Sequence, residues 1–399
     1  MLSKFGQLLQ GATIRHSQYR RFYGQPAVQR DSVTDTTPTS LVLEGEARRF
    51  IHDCLRRVGV PFEKLRCISD IMLAADYRGI HGMGIGRLDM YLKDLQHGTV
   101  DITAEPEIIS QTSVTAHVDG HGAMGVFVGN YCMDLAIDKA QKSGIGFVVA
   151  KRSHDIGMAS WYAFRAMARG CIGLVLSNTP AMMVAPGGRD ASIGANCLAF
   201  GADGKDSHFM LDMAASTKSM GALEWAYLND DRIPSSWAMD EGGHPTIFPC
   251  LALRANRLNP AGGQNGYCLA TMIDVLCGVM SGANYATRVA SMDAEQGKGP
   301  TSNLGLVMLA LDPCVFVPDF EERLDDFKKC IENSIPFDTS KPVKLAGELE
   351  KAHMLRVDDL GALSFPNTML AKFKRLADFL CVPSLQLAFA SNKSNYLRA

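Results

Sequence analysis

The stretch from Gly144 to Phe200 constrains this chain more than any other. It begins GIGFVVAKRSHDIGMASWYAFRAMARGCIGLVLSNTP and closes with VAPGGRDASIGANCLAF. Its periodicity predicts a strand over Ile145–Ala150, a polar turn over Lys151–Gly157, a helix over Met158–Ala168 and a second strand over Ile172–Ser177. A Gly- and Pro-rich loop follows. Short apolar strands bracketing one helix, with polar residues at the strand ends, are how α/β proteins place chemistry at loop mouths. The turn Ser153-His154-Asp155-Ile156-Gly157 sets a hydroxyl, an imidazole and a carboxylate in a row and is read as one wall of an active site. His154 and Asp155 are adjacent, so they point to different sides and do not form one acid–base pair.

Upstream, helices are expected over Leu41–Val58 and Pro61–Ala75. They lead through Asp76-Tyr77-Arg78-Gly79 into the glycine-rich turn Gly82-Met83-Gly84-Ile85-Gly86-Arg87. A further helix, Leu88–Gln96, is closed by Gly98 as a C-cap. Thr112–Val118 alternates like a strand, and Val128–Ser143 reads as an amphipathic helix. Downstream come a short strand Met210–Met213 and a Pro/Gly-rich loop Asp230–Cys250. A strand Leu304–Leu311 and helices Phe320–Ser334 and Ala371–Leu380 complete the chain. The most apolar late run, Tyr267–Ala286, has nearly the length of a membrane span. Asp274 in its middle makes it a helix buried in a soluble core instead, because an unpaired carboxylate in lipid is costly.

A net charge of −2 leaves no basic excess to release counterions from nucleic acid. The eleven cysteines show no CxxC pair or metal-like spacing and read as reduced, mostly buried thiols. No His/Asp/Glu cluster has metal-ligand spacing, which disfavours a metal-dependent hydrolase. The first thirty residues are unlike the rest. Lys4, Arg15, Arg20, Arg21 and Arg30 occur with no acid before Asp31, interspersed with Leu2, Phe5, Leu8, Leu9 and Ile14. Such a leader reads as a mitochondrial presequence with a matrix destination; the other reading is a basic tail without an address, in a cytoplasmic protein.

Gly120-His121-Gly122-Ala123-Met124-Gly125 matches GxGxxG between a strand and a helix, which taken alone says dinucleotide phosphate or an ordinary turn. Arg87, at a helix start after three glycines, is either a clamp for a carboxylate or a surface arginine. Asp212 lies in a short apolar strand, where a carboxylate needs a partner or a shifted pKa. Gly187-Gly188-Arg189 and Gly194-Ala195-Asn196 would approach a phosphate or amide through backbone groups, or simply form a crossover loop.

In order, the motifs ADYRG followed by Arg87, VDGHGAMG, SHDIG, SNTP, GGR, LDMA, IPSSWAMD, GYCLA, SGANY, NLGLVMLALDP and Ala346-Gly347-Glu348 resemble the malate/L-lactate dehydrogenase-like family of NAD(P)-dependent oxidoreductases. The resemblance runs from about Leu41 to Pro383. It implies an α/β fold that is not Rossmann: a cofactor domain with a mixed, largely antiparallel sheet, and a helical domain built from the N- and C-terminal segments. The divisions implied are a leader and linker over 1–38, a helical segment over 39–110, the cofactor domain over 111–225 and a loop-rich and helical segment over 226–395. The GxGxxG glycines then form a turn of another fold.

The resemblance also implies a homodimer with no nucleic acid or membrane partner, acting on a small 2-hydroxy/2-oxo acid with NAD or NADP. Arg87 would bind the substrate carboxylate, Asp155, His154 or His81 would supply the proton, and Asp212 would support a histidine. Asn178, Thr179, Gly187, Gly188, Asn196 and Ser216 would lie along the cofactor. Several positions depart from the family. Where its members have Asp-Ser-His-Gly this chain has His81-Gly82-Met83-Gly84, so the family histidine is Met83. A second family histidine is Asp155, two family lysines are Ala222 and Asn265, and a third histidine is Leu306. A kept scaffold with an altered cleft implies a weakened or altered dehydrogenase. The alternative is a catalytically inactive mitochondrial homologue with a structural, dinucleotide-sensing or heterodimerising role.

Overall fold

The computed structural model describes residues 39–290 and 303–388 of the 399-residue chain. The presequence reading falls on residues outside that range.

The two ends of the described chain are knit together. Strand β1 (Thr39–Val42) pairs antiparallel with β11 (Leu363–Pro366). Leu41 and Val42 are therefore in a strand, and the helix expected from Leu41 begins only at Glu44: α1 spans Glu44–Arg57. Its buried residues Ala47, Phe50, Ile51, Cys54 and Leu55 recur at helical spacing on one stripe. Glu44 and Glu46 in its first turn and Arg56 and Arg57 in its last complement the helix dipole. The stripe meets α11 (Asn367–Leu380), where Phe50 and Phe373 stand 6.0 Å apart, ring to ring. Helices α2 (Phe62–Tyr77) and α3 (Leu88–His97, closed by left-handed Gly98) complete this N-terminal layer. The helical domain thus takes its members from both ends of the chain.

The second part is built on a seven-stranded sheet. Its strands are β2 (Glu107–Gln111), β3 (Thr115–Asp119), β4 (Ile145–Ser153), β5 (Ile172–Ser177), β8 (Cys197–Asp203), β9 (His208–Ala214) and β10 (Leu304–Leu311), in the order β2-β3-β4-β10-β5-β8-β9. Only β3 and β4 run parallel; every other neighbouring pair in it is antiparallel. This is the mixed, largely antiparallel sheet that the resemblance implies. Along β10, Leu306, Met308 and Ala310 join the main core, under α4 (Gly125–Ser143) and α5 (Ser160–Met167). Val307 faces the other way, into a second cluster with Val149, Leu176, Ile273 and Cys277. Period-two alternation therefore buries both faces of the sheet.

Two expectations need correcting here. The strand expected from Thr112 starts at Thr115, because Thr112 belongs to the β2–β3 turn and its N–H donates to Thr115 O at 2.9 Å. The run Tyr267–Ala286 is not one fully buried helix. It divides into α8 (Gln264–Asp274), a π-helical turn (Val275–Val279) and a loop, and Met272, Val275, Val279 and Met280 are all about half exposed. Asp274 is buried, as expected, and is satisfied by Asn178 Nδ2 at 3.0 Å and Ala286 N at 2.8 Å. Among the described residues no helix is long and apolar enough to cross a membrane.

The GxGxxG segment does connect a strand to a helix, β3 to α4, but its amides are already used. Gly120 N donates to Lys151 O at 2.9 Å and Gly122 N to Arg152 O at 2.8 Å. A Cβ on Gly125 would lie 2.1 Å from Asp155 O. The glycines let the Arg152–Asp155 backbone lie across the helix N-terminus, where a Rossmann protein would seat phosphate.

Candidate active site

The turn between α2 and α3 is pinned by one buried carboxylate. Asp76, 1% exposed, accepts Ile85 N on Oδ2 at 2.8 Å and meets His81 Nδ1 with Oδ1 at 3.0 Å. An ionised carboxylate only accepts, so Nδ1 carries the shared hydrogen and Nε2 is left as the exchangeable position of the ring. The His81 ring stacks on Trp225 with centroids 4.1 Å apart and planes 11° apart. Trp225 belongs to α6 (Met220–Leu228). His353, on α10 (Glu348–Leu360), also meets the His81 ring, edge to face at 5.1 Å. Burial pushes His353 down to about 4, so it presents a neutral ring.

Arg87 stands at the other end of the same turn. Its Nε donates to Gly82 O at 2.7 Å, and its Nη1 lies 3.4 Å from Glu224 Oε1 on α6. The turn can lie this close to α6 because two glycines face each other: a Cβ on Gly82 would come 2.9 Å from Gly221 Cα. One helical turn beyond Arg87, the Tyr91 hydroxyl donates to Asp155 Oδ1 at 2.7 Å, and Gly157 N donates to the same oxygen at 2.8 Å. Burial and then the Asp155 carboxylate hold the Tyr91 phenol well above its ordinary range. Spacing of i, i+4 puts Arg87 and Tyr91 on one face of α3. Arg87 is thus tied through the Gly82 carbonyl to the turn that carries His81 and lies one helical turn from Tyr91, whose hydroxyl meets Asp155.

His154 faces away from this cluster, as its adjacency to Asp155 requires. It is 4% exposed, with Nε2 3.4 Å from Asp94 Oδ2. Burial lowers the imidazole's affinity for a proton and raises that of Asp94. Asp212, on β9, accepts Ser160 N at 2.9 Å at the start of α5. That contact is to a backbone amide and not to the histidine that the resemblance implies. Burial raises Asp212, against the opposing pull of Arg78. The Cys197 thiol is pushed up to about 12 by burial, with Asp212 and Asp155 adding to it. Three of the departing positions make contacts that serve the fold. Met83 packs against the main core, Leu306 is fully buried in the sheet, and Ala222 donates its amide to the Ser219 cap of α6.

Of the six positions expected along a dinucleotide, four are engaged within the protein. Asn178 is fully buried, donating to Asp274 and to Asn284 O at 2.8 Å while accepting Gly305 N at 2.9 Å. Asn196 is also fully buried, accepting Thr179 N at 3.0 Å and donating to Ala270 O at 2.8 Å. Ser216 Oγ donates to Lys218 O at 2.8 Å. Gly187 and Gly188 differ. They lie at the tip between β6 (Ala181–Val184) and β7 (Ala191–Gly194), beside exposed Arg189. Gly187 has φ +80 and nothing within 4 Å of a Cβ. An open, left-handed glycine next to a guanidinium fits the phosphates of a dinucleotide.

Sequence reasoning did not find roles for Asp76, Tyr91, Glu224 or Trp225. The i, i+4 spacing of Arg87 and Tyr91 was a usable signal. The other three act through contacts that sequence spacing does not reveal.

Comparison with known proteins agrees with this architecture. The chain is 32% identical over 313 residues to L-sulfolactate dehydrogenase of Methanothermobacter thermautotrophicus, covering 78% of this chain and 89% of that protein. It is 31% identical over 271 residues to ureidoglycolate dehydrogenase (NAD(+)) of Escherichia coli, covering 67% of this chain and 76% of that one. Among solved structures, malate dehydrogenase from Entamoeba histolytica superposes with a TM-score of 0.80 at 28% identity, covering 87% of this chain and 99% of that chain. The family model for malate/L-lactate dehydrogenase matches residues 43–374. With that match across most of its length, the chain belongs to the malate/L-lactate dehydrogenase family.

Proposed function

We propose that this chain is an NAD(P)-dependent oxidoreductase that interconverts a small 2-hydroxy acid and its 2-oxo acid. The observation that carries the reading is that one turn presents both Arg87, bonded to the Gly82 carbonyl, and His81, an imidazole held by a buried carboxylate. The relatives named above support the substrate class, since sulfolactate, ureidoglycolate and malate are all 2-hydroxy acids.

Arg87 would exchange its long contact with Glu224 for the substrate carboxylate, which pairs with a guanidinium bidentately. His81 Nε2 would give a proton to the carbonyl oxygen in reduction and take it back in oxidation. Asp76 holds the ring in one tautomer and offsets the charge of the imidazolium. Of the other groups considered as proton donors, His154 is turned to Asp94, and Asp155 Oδ1 already accepts two hydrogen bonds. Asp155 is then a positioning residue for Tyr91, and Asp212 for the start of α5. When bound, the nicotinamide supplies or accepts the hydride; Gly187, Gly188 and Arg189 would hold its phosphates.

The test is calorimetric titration of the purified chain with NADH and with NADPH, followed by a panel of 2-oxo acids monitored by nicotinamide absorbance. Binding of either cofactor with turnover of at least one acid is expected. Folded protein that binds neither cofactor and turns over nothing would leave the inactive-homologue reading in its place.

The half-exposed stripe of Met272, Val275, Val279 and Met280 supports a homodimer that covers it. Light scattering after size exclusion checks this, with Val275→Lys plus Val279→Glu expected to yield monomer. The acid-free leader supports import into the mitochondrial matrix. N-terminal sequencing of protein recovered from isolated mitochondria tests that.

A further inference from the structure

We infer that Glu224 restricts this site to 2-oxo acids with a single negative charge and a neutral or cationic tail, against acids that carry a second carboxylate or a sulfonate. The inference rests on the reading of Arg87 as the carboxylate anchor.

Its basis is the charge around that guanidinium. Nε is spent on Gly82 O, and Nη1 looks at Glu224 Oε1 across 3.4 Å, longer than a tight charge-assisted pair of about 2.8 Å. Glu224 is 43% exposed, so an incoming carboxylate can share or displace it. The helix that carries it is fixed at three points. Ser219 caps the helix through Ala222 N at 3.3 Å, Gly221 presses on Gly82, and Trp225 stacks on His81. Glu224 is the only charged residue in α6 (Met220–Leu228), so this wall has a carboxylate and no cation. Arg87 lies one helical turn from Tyr91, whose hydroxyl donates to the Asp155 carboxylate. The neighbouring Lys372 is 3.1 Å from both Gly86 O and Asp89 Oδ1 and so is already paired.

A monoanionic acid meets one guanidinium and balances it. A dianionic acid brings a second negative charge into a space that Glu224 already makes negative. Like charges a few ångströms apart near a protein surface cost enough to change affinity by about tenfold or more.

Two unreactive anions separate the cases in calorimetric titrations of the full chain saturated with NADH: oxamate, a monoanion, and tartronate, a dianion. Oxamate is expected to bind about tenfold or more tightly than tartronate. Glu224→Gln should shrink that ratio by about tenfold, mainly by tightening tartronate, with thermal melting confirming that the variant folds. Tartronate binding as tightly as oxamate, or a ratio unchanged in Glu224→Gln, overturns the inference and leaves the oxidoreductase reading intact. Arg87→Gln reports on the anchor separately and should abolish oxamate binding. If it does not, or if neither anion binds the unaltered chain, the anchor reading fails and this inference falls with it.

Discussion

Asp76 and His81 are joined by a 3.0 Å hydrogen bond across a glycine-rich turn, and the second oxygen of the same carboxylate holds the Ile85 amide at 2.8 Å. One buried charge thus orients the ring and closes the turn that presents Arg87. Asp76→Asn keeps the shape but can donate where the carboxylate only accepted, so it disfavours the working tautomer. On the proposed reaction, kcat should fall by about 100-fold or more while KM moves little. Steady-state kinetics on the best 2-oxo acid, with NADH affinity measured alongside, checks the split.

Arg87→Lys retains the charge but loses the planar fork, and an ammonium cannot reach Gly82 O and a substrate carboxylate in the same way. A drop in kcat/KM of about 100-fold is expected, carried mainly by KM. NADH affinity measured by titration should remain unchanged; a variant that loses cofactor instead would place Arg87 at the wrong end of the site.

Gly125→Ala tests the packing that replaces a phosphate site. Its Cβ would stand 2.1 Å from Asp155 O, so the Ser153–Gly157 turn must shift. Overpacking of this kind costs about 1–3 kcal/mol. Denaturant unfolding should show that loss, and turnover should fall further because the Tyr91–Asp155 contact is pulled apart.

Asn178→Ala separates a structural role from a cofactor role. Three hydrogen bonds converge on this fully buried amide, and their loss leaves the Gly305 amide, the Asn284 carbonyl and the Asp274 carboxylate short of partners. A cost of about 2–4 kcal/mol in unfolding free energy is expected. NADH affinity of the folded fraction should be little changed; an affinity loss at full stability would make Asn178 a cofactor ligand instead.

Asp203 introduces a pH dependence of stability. Burial, with Glu321 adding to it, lifts this carboxyl to about 7. In the unfolded chain the same group titrates near about 3.9. Between these values the folded state holds a proton that the unfolded state has released, so this site's contribution to stability declines as pH rises from about 4 through about 7. Asp203→Asn removes the ionisation. Thermal melts should coincide with the parent near about pH 4 and lie several degrees higher near about pH 8.

Many of the longer elements were legible in the sequence, although the helix α10 (Glu348–Leu360) was not. The α1 stripe, the Gly98 cap of α3 and the β4–α5–β5 unit follow from periodicity and turn chemistry within a dozen or so residues. The short strands were not. β1, β6 and β7 have four residues each, too short for a period to show; β1 is a strand through its distant partner β11, and β6 and β7 through pairing with each other across a Gly-rich loop. The exposed side of α8 was hidden for a similar reason. Composition shows that a run is apolar but not which face the sheet covers.

At the site, the sequence by itself determined which chemical groups are present: Arg87 at a helix start, two histidines displaced from the family positions, and a carboxylate at 155. Their roles were decided by the tertiary structure. Asp155 meets Tyr91 from 64 positions away and Arg87 meets Glu224 from 137 away, distances over which local spacing carries no information. The GxGxxG turn shows the same division. Its glycines announce a close approach, but only the packed chain shows that what approaches is the backbone of Arg152–Asp155. Short-range sterics and hydrogen bonding select local conformation, whereas the partner of a buried charge is selected by which distant segments the hydrophobic core brings together.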